Sequence, residues 1–246
     1  ALRRFSALVE ARGVQRRFAV ATAAARTAAD GPDFVERVRR EAGVDLRIID
    51  GKEEARLSAL GVLAGAPDAQ GLVGDLGGSS LELVPLSPEG PGEGETFALG
   101  PLALASGGGA FDPDAIAPRI DKALSGTKLL RAGGHDAFYA VGGAWRAMGR
   151  IDIALRQHPV GVLHQHEMSR ADALRVVDFP EAAAVVSQRL EKGGFQRVIL
   201  SSYGLREGLL YDAMDAKLRA KDALIAGAEA FVGPKGLAFA ESLERF

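Results

Sequence analysis

Apolar residues at Leu2, Phe5, Leu8 and Val9 recur at helical spacing and the pattern stops at Gly13, which predicts a short amphipathic helix. Phe18-Ala19-Val20-Ala21-Thr22 reads as a strand. Asp30-Gly31-Pro32 then stops one element and starts the next. Phe34, Val35, Val38 and Ala42 share one helical face, closed by Gly43. Val44, Leu46 and Ile48 alternate as in a strand, and Lys52 to Leu63 reads as helix again. Strand and helix in alternation predict an α/β unit.

Gly65-Ala66-Pro67-Asp68 has the character of a linker, and the pattern changes after it. Leu72-Val73 is a short strand, Gly77-Gly78-Ser79-Ser80 a tight turn and Leu81-Glu82-Leu83-Val84 a second strand. A loop over Ser87-Pro88-Glu89-Gly90-Pro91-Gly92 leads to a third, Thr96-Phe97-Ala98-Leu99. That order predicts an antiparallel meander. Helices follow near 112–124 and 144–155, with Phe138-Tyr139-Ala140-Val141 a strand between them. Two more helices fall near 169–178 and 181–192. A strand at Val198-Ile199-Leu200 precedes a last helix from about Leu205. No short-period repeat interrupts this order.

Composition narrows the picture. The 246 residues are 47% hydrophobic and 25% charged, enough for one large domain or two lobes with a real core. A net charge of -2 gives no global field for nucleic acid or an acidic membrane. The absence of cysteine excludes disulfides and thiolate metal sites. No apolar run is long enough for a bilayer, and no continuous apolar stretch follows Ala1-Leu2-Arg3-Arg4-Phe5, so a cytoplasmic chain is expected. It begins without Met, directly in helix-like sequence, and is expected to be a processed or truncated form.

The strongest chemical signal is Asp75-Leu76-Gly77-Gly78-Ser79-Ser80-Leu81-Glu82, set between two apolar strands. Adjacent glycines let backbone N–H groups turn toward a phosphate, and Ser79 and Ser80 add hydroxyl donors. Asp75 and Glu82 can hold a hydrated Mg²⁺ or orient water. The same string also suits a plain glycine-rich hairpin. In Gly51-Lys52-Glu53-Glu54-Ala55-Arg56 two carboxylates open a helix. There they either complement the dipole or orient water beside a bound phosphate. Val141-Gly142-Gly143-Ala144 runs from strand to helix through a glycine pair, either a phosphate approach or a tight connection. Ser201-Ser202-Tyr203-Gly204-Leu205-Arg206-Glu207-Gly208 is a second such junction, where Arg206 pairs with phosphate or with Glu207. If His164-Gln165-His166 lies in a strand its two imidazoles fall on one side, but without a clear third metal ligand a surface or core role is expected. P-loop, Rossmann and nucleophile-elbow signatures are absent.

In order and spacing these segments resemble the exopolyphosphatase / guanosine pentaphosphate phosphohydrolase (Ppx/GppA) family. Ala21-Thr22-Ala23-Ala24-Ala25-Arg26 is similar to its A-T-[SA]-A-x-R strand, and Asp50 to Arg56 to its G-x-E-E-A-R segment. Asp75 to Glu82 is similar to its D-[IL]-G-G-G-S-x-E loop, Val141 to Ala144 to its V-G-G-T turn, and Tyr203 to Gly208 to its Y-G-L-R-E-G signature. The resemblance runs from near residue 1 to about 214. It implies an α/β, actin-like ATPase (ribonuclease H-like) two-lobe fold and Mg²⁺-dependent hydrolysis of a terminal phosphoanhydride. The substrate would be inorganic polyphosphate or guanosine pentaphosphate.

By position, Glu54 would orient or deprotonate water, with Glu53 as fallback. Asp75 and Glu82 would serve metal and water. Gly77, Gly78, Ser79, Ser80, Arg26, Gly142 and Gly143 would bind phosphate. Three departures stand out: Ser79 replaces the third loop glycine, Ala144 replaces a threonine, and no segment before Ala21 resembles the family's D-[IL]-G-[ST]-N-[ST] hairpin. Residues 1–65 are therefore expected to be an incomplete N-terminal lobe, 66–222 a C-terminal lobe and 223–246 a helical tail. An exposed edge and apolar face would favour a homodimer. A non-catalytic module binding guanosine tetra- or pentaphosphate or polyphosphate is the competing expectation.

Overall fold

The computed structural model describes residues 1–105, 113–130, 135–176 and 193–219. The expected helix at 181–192 and tail at 223–246 lie outside the described residues.

The N-terminal elements are α1 (Leu2–Ala11), β1 (Val20–Ala21), α2 (Ala23–Thr27), α3 (Gly31–Ala42) and β2 (Arg47–Ile48). Helix α3 ends where expected, because Gly43 adopts φ 62° and its N–H reaches back to the Arg39 carbonyl. The two expected strands shrink to a parallel pair, Val20 opposite Arg47 and Ala21 opposite Ile48. The chain leaves β1 directly into α2, an alanine-rich helix that the apolar alternation did not announce. Val44 and Leu46 are buried without strand pairing, packed with Val38 in a small core of their own. Helix α1 forms as expected, yet Phe5 and Leu8 are exposed, as are Val14 and Phe18.

Helix α4 (Gly51–Gly65) starts at Asp50, whose side chain accepts the Glu53 N–H at 2.8 Å. It is buried on nearly every side, as expected of a helix held between a sheet and another helix. The sheet contains β3 (Gly71–Leu76), β4 (Leu81–Ser87), β5 (Gly90–Pro91), β6 (Glu95–Phe97), β7 (Ala137–Val141), β8 (Glu167–Ser169) and β9 (Arg197–Ser201). Its order is β5-β4-β3-β7-β9-β8, with β6 also paired to β4. β3, β7 and β9 run parallel, while β4 and β8 are antiparallel to their neighbours and β6 is antiparallel to β4. The predicted meander is therefore one flank of a mixed sheet, continued by parallel strands.

Period-two alternation divides the sheet's side chains between two cores. Val73, Val84, Tyr139, Val141 and Ile199 face α4. Leu72, Leu81, Leu83, Phe138 and Leu200 face α6 (Pro113–Leu124), α7 (Gly143–Leu155) and α8 (Arg170–Val176). A further helix, α5 (Pro101–Leu104), precedes α6. The last described helices are α9 (Leu205–Asp212) and α10 (Ala216–Arg219).

Helices α4 and α9 cross almost backbone to backbone. A Cβ on Gly208 would collide with the Leu57 carbonyl, and one on Gly61 with the Gly204 carbonyl. Arg56 clamps the crossing through a bidentate pair with Asp212, at 2.8 and 3.0 Å. Among the described residues no helix is long and apolar enough to cross a membrane.

The histidine pair lies in no strand, and each ring has the packing role expected of it. His164 and Gln165 occupy a turn in which Gln165 has φ 63°, so the segment is not a continuous strand. His164 stacks on Tyr203, with ring centroids 4.7 Å apart. His166 is buried against Asp152, Nε2 to Oδ2 2.7 Å. The two rings thus serve separate packing contacts.

Candidate active site

Asp75 in β3 and Glu82 in β4 are register partners, and Thr96 in β6 is paired with Glu82 on its other side. Directly opposed residues project from the same face, their Cβ atoms about 4.5–5.5 Å apart. The row Asp75, Glu82, Thr96 therefore crosses three strands on the face that α4 covers. Glu54 and Ser58, one helical turn apart, look onto it from α4. The Ser58 hydroxyl donates a short hydrogen bond to Asp75 Oδ2. Arg26, carried by α2, donates to Glu54 Oε2 at 3.1 Å and to the Ile49 carbonyl at 2.8 Å.

The sequence left a choice between two adjacent glutamates, and the structure separates their surroundings. The Glu53 carboxylate lies 3.3 Å from Arg47 and 3.5 Å from Arg56. Glu54 is buried, and its charge is felt by both Asp75 and Glu82. Burial pushes the Glu82 carboxyl up to about 8, helped by the charges of Glu54 and Asp75 and opposed by a hydrogen bond from Ser80 and by Arg26. Glu82 is 1% exposed and its Oε1 has no hydrogen-bond partner. Asp75 retains some surface exposure as a residue, yet its carboxyl is enclosed by protein. Burial raises it above the usual carboxylate range and Glu54 adds to this, while Ser58 and Arg146 pull the other way.

The turn between β3 and β4 is closed by the Gly77 N–H on the Ser80 carbonyl at 2.9 Å. Leu102 N–H braces it from α5 through the Gly78 carbonyl at 2.8 Å. Ser79 does not adopt positive φ, so the serine fits the turn without backbone strain. Gly78 is exposed and Gly77 and Ser79 partly so, whereas Ser80 is buried. Gly142 comes to the same place from β7. Its φ of 118° and its approach to the Leu76 carbonyl leave no room for a Cβ. Gly143 then opens α7, whose N-terminus has no capping side chain. Gly204, at the start of α9, packs on Val141 and lies near Asp75.

The sequence-derived residues thus converge. Asp75 and Glu82 are paired, Glu54 and Arg26 border them, and both glycine turns lie at the β3 end. Ser58 and Arg146 were not anticipated, because their helical positions signal nothing until the sheet is packed against them. Arg206 lies outside this cluster, its side chain 83% exposed and 4.0 Å from Glu207. Among the described residues no group of three or more His, Cys, Asp or Glu is arranged to hold a metal ion unaided.

Paired carboxylates lie beside glycine turns and guanidinium groups in an α/β sheet, a combination of groups that phosphate-handling sites use. The family model of the Ppx/GppA phosphatase family matches residues 1–118. Exopolyphosphatase 1 of Mycobacterium tuberculosis is 26% identical over 245 residues, covering 87% of this chain and 71% of that protein. Exopolyphosphatase 1 of Mycobacterium leprae is likewise 26% identical, covering 87% and 72%. The crystal structure of the Aquifex aeolicus Ppx/GppA family member superposes with a TM-score of 0.69 at 24% identity, over 85% of this chain and 77% of that one. An exopolyphosphatase from Cytophaga hutchinsonii gives a TM-score of 0.73 at 19% identity, over 87% and 80%. The chain is similar to members of the Ppx/GppA phosphatase family, and it shares their α/β, actin-like ATPase fold.

Proposed function

We propose that the chain is an exopolyphosphatase-type phosphohydrolase that releases the terminal phosphate of inorganic polyphosphate. The observation that carries this reading is the buried row of Asp75 and Glu82 with Glu54 facing it, set against the glycine turn at Gly77 to Ser80. The names of the mycobacterial relatives support the polyphosphate assignment.

Glu54 orients the attacking water and takes its proton. It is the one of the two adjacent glutamates that Asp75 and Glu82 feel. The water oxygen bonds to the terminal phosphorus, the bridging P–O bond breaks, and its electron pair leaves with the shortened chain. Backbone N–H groups at Gly78 and Ser79, with those of Gly142 and Gly143, receive phosphate oxygens, while the Gly77 N–H holds the turn closed on the Ser80 carbonyl. Arg26 holds Glu54 in place and adds positive charge beside the reacting phosphoryl group.

The donor set suits Mg²⁺. Two carboxylates with hydroxyls nearby match a hard cation that is usually held by one or two carboxylates plus phosphate and water. The unpartnered Oε1 of Glu82 is a ligand atom in want of a partner. Asp75 and Glu82 would hold the cation, which when bound neutralises charge on the phosphate oxygens. The exposed Phe5, Leu8 and Phe18 support self-association as a homodimer.

The test is phosphate release from polyphosphate and from guanosine pentaphosphate, side by side, with Mg²⁺ and with EDTA. Mg²⁺-dependent release from polyphosphate is expected. Release from guanosine pentaphosphate alone would move the assignment to that nucleotide. Binding of either without release would replace the enzyme with a binding module.

A further inference from the structure

We propose that Arg146 is a phosphate-binding residue of this site, meeting the substrate's terminal phosphoryl oxygens from the α7 side, opposite Arg26. The inference rests on the phosphohydrolase reading and extends it to a residue that the sequence motifs did not single out.

Arg146 lies in the first turn of α7, three residues after Gly143. It is half-buried, and among the described residues its guanidinium makes no hydrogen bond or ion pair. The other arginines around the site are engaged. Arg26 is held by Glu54 and the Ile49 carbonyl, Arg47 by Glu53, and Arg56 by Asp212. A guanidinium carries five donors, and leaving them unused in a half-buried place points to a missing acceptor.

Its position says which acceptor. Arg146 Nη2 stands 4.0 Å from where a Cβ on Gly143 would be, so the side chain folds back beside this exposed glycine. It is also close enough to Asp75 to favour that carboxylate's charged form. The same end of α7 presents backbone N–H groups without a capping side chain. Arg146 therefore stands beside Gly143 and within electrostatic range of Asp75. Arg26 is already bound to Glu54 from the other side. A phosphoryl group between them would lie between two planar cations, the arrangement that stabilises charge spread over three equatorial oxygens.

The experiment compares wild type with Arg146→Gln, Arg146→Lys and Arg150→Gln, the last an exposed arginine one turn further along α7. For each, kcat and KM on polyphosphate, tripolyphosphate affinity by calorimetry and the melting temperature are measured. Arg146→Gln is expected to lose at least about tenfold in both kcat/KM and tripolyphosphate affinity at unchanged melting temperature. Arg146→Lys should fall between it and wild type, and Arg150→Gln should match wild type. Wild-type kcat/KM and affinity in Arg146→Gln, or an equal loss in Arg150→Gln, overturns the proposal. If Arg146→Gln does not fold, the same comparison is decided by Arg146→Lys. Wild type that binds tripolyphosphate without releasing phosphate ends the hydrolase reading alone, and relative affinity still decides Arg146. Wild type that does neither overturns both.

Discussion

Glu82→Gln is expected to stabilise the metal-free protein above about pH 6 while removing its activity. Glu82 is almost fully buried with one oxygen unpartnered, and burial moves it from an ordinary 4.5 to about 8. Between those values the folded state holds a proton that the unfolded chain has released. Stability contributed by this residue therefore falls as pH rises, starting near 4.5 and complete above about 8. The displacement is about 3.5 pH units at about 1.4 kcal/mol each, a ceiling of about 5 kcal/mol. Roughly 2–3 kcal/mol of it develops between about pH 5 and pH 7. Glutamine has no proton to lose, so the variant lacks this slope, and groups common to both proteins cancel in the difference. Urea unfolding of both proteins in EDTA at about pH 5, 6 and 7 reads the gap. A gap that stays constant across that range would refute a buried, protonated Glu82.

Three other outcomes follow from the same geometry. Gly208→Ala forces a methyl group into the Leu57 carbonyl at the α4–α9 crossing and should cost about 1–3 kcal/mol by chemical denaturation. Asp152→Ala leaves His166 and Arg156 without their shared carboxylate and should destabilise by about 3 kcal/mol, while kcat of the folded protein stays unchanged. Ser58→Ala removes the donor that lowers the Asp75 pKa, so the acid limb of the pH–rate profile should move to higher pH.

What the sequence made legible was local punctuation and the chemistry of its motifs. Helix α3 is bounded by Asp30-Gly31-Pro32 and by a left-handed Gly43, signals that act within a few residues and hold whatever packs around them. The Asp75–Glu82 pairing followed from two short apolar runs around a glycine turn. The strands predicted near 18–22 and 44–48 are only two residues each in the structure, because alternation reports burial and burial there comes from α3 rather than from a wide sheet. Helix α2 is five residues of mostly alanine, too short to display a period. Ser58 and Arg146 are ordinary helix residues in one dimension. They become part of the site only because α4 lies on the Asp75 face and α7 starts at the end of β7. His164 and His166 share a dipeptide spacing but diverge because Gln165 turns the chain between them.

The most direct test of the account is Glu54→Gln beside wild type, assayed for phosphate release from polyphosphate with Mg²⁺ and for tripolyphosphate binding by calorimetry. A fall in release of about 10²–10⁴-fold with binding retained is the predicted result. Release at the wild-type rate would contradict the placement of the water-activating carboxylate at Glu54, and with it the site as described.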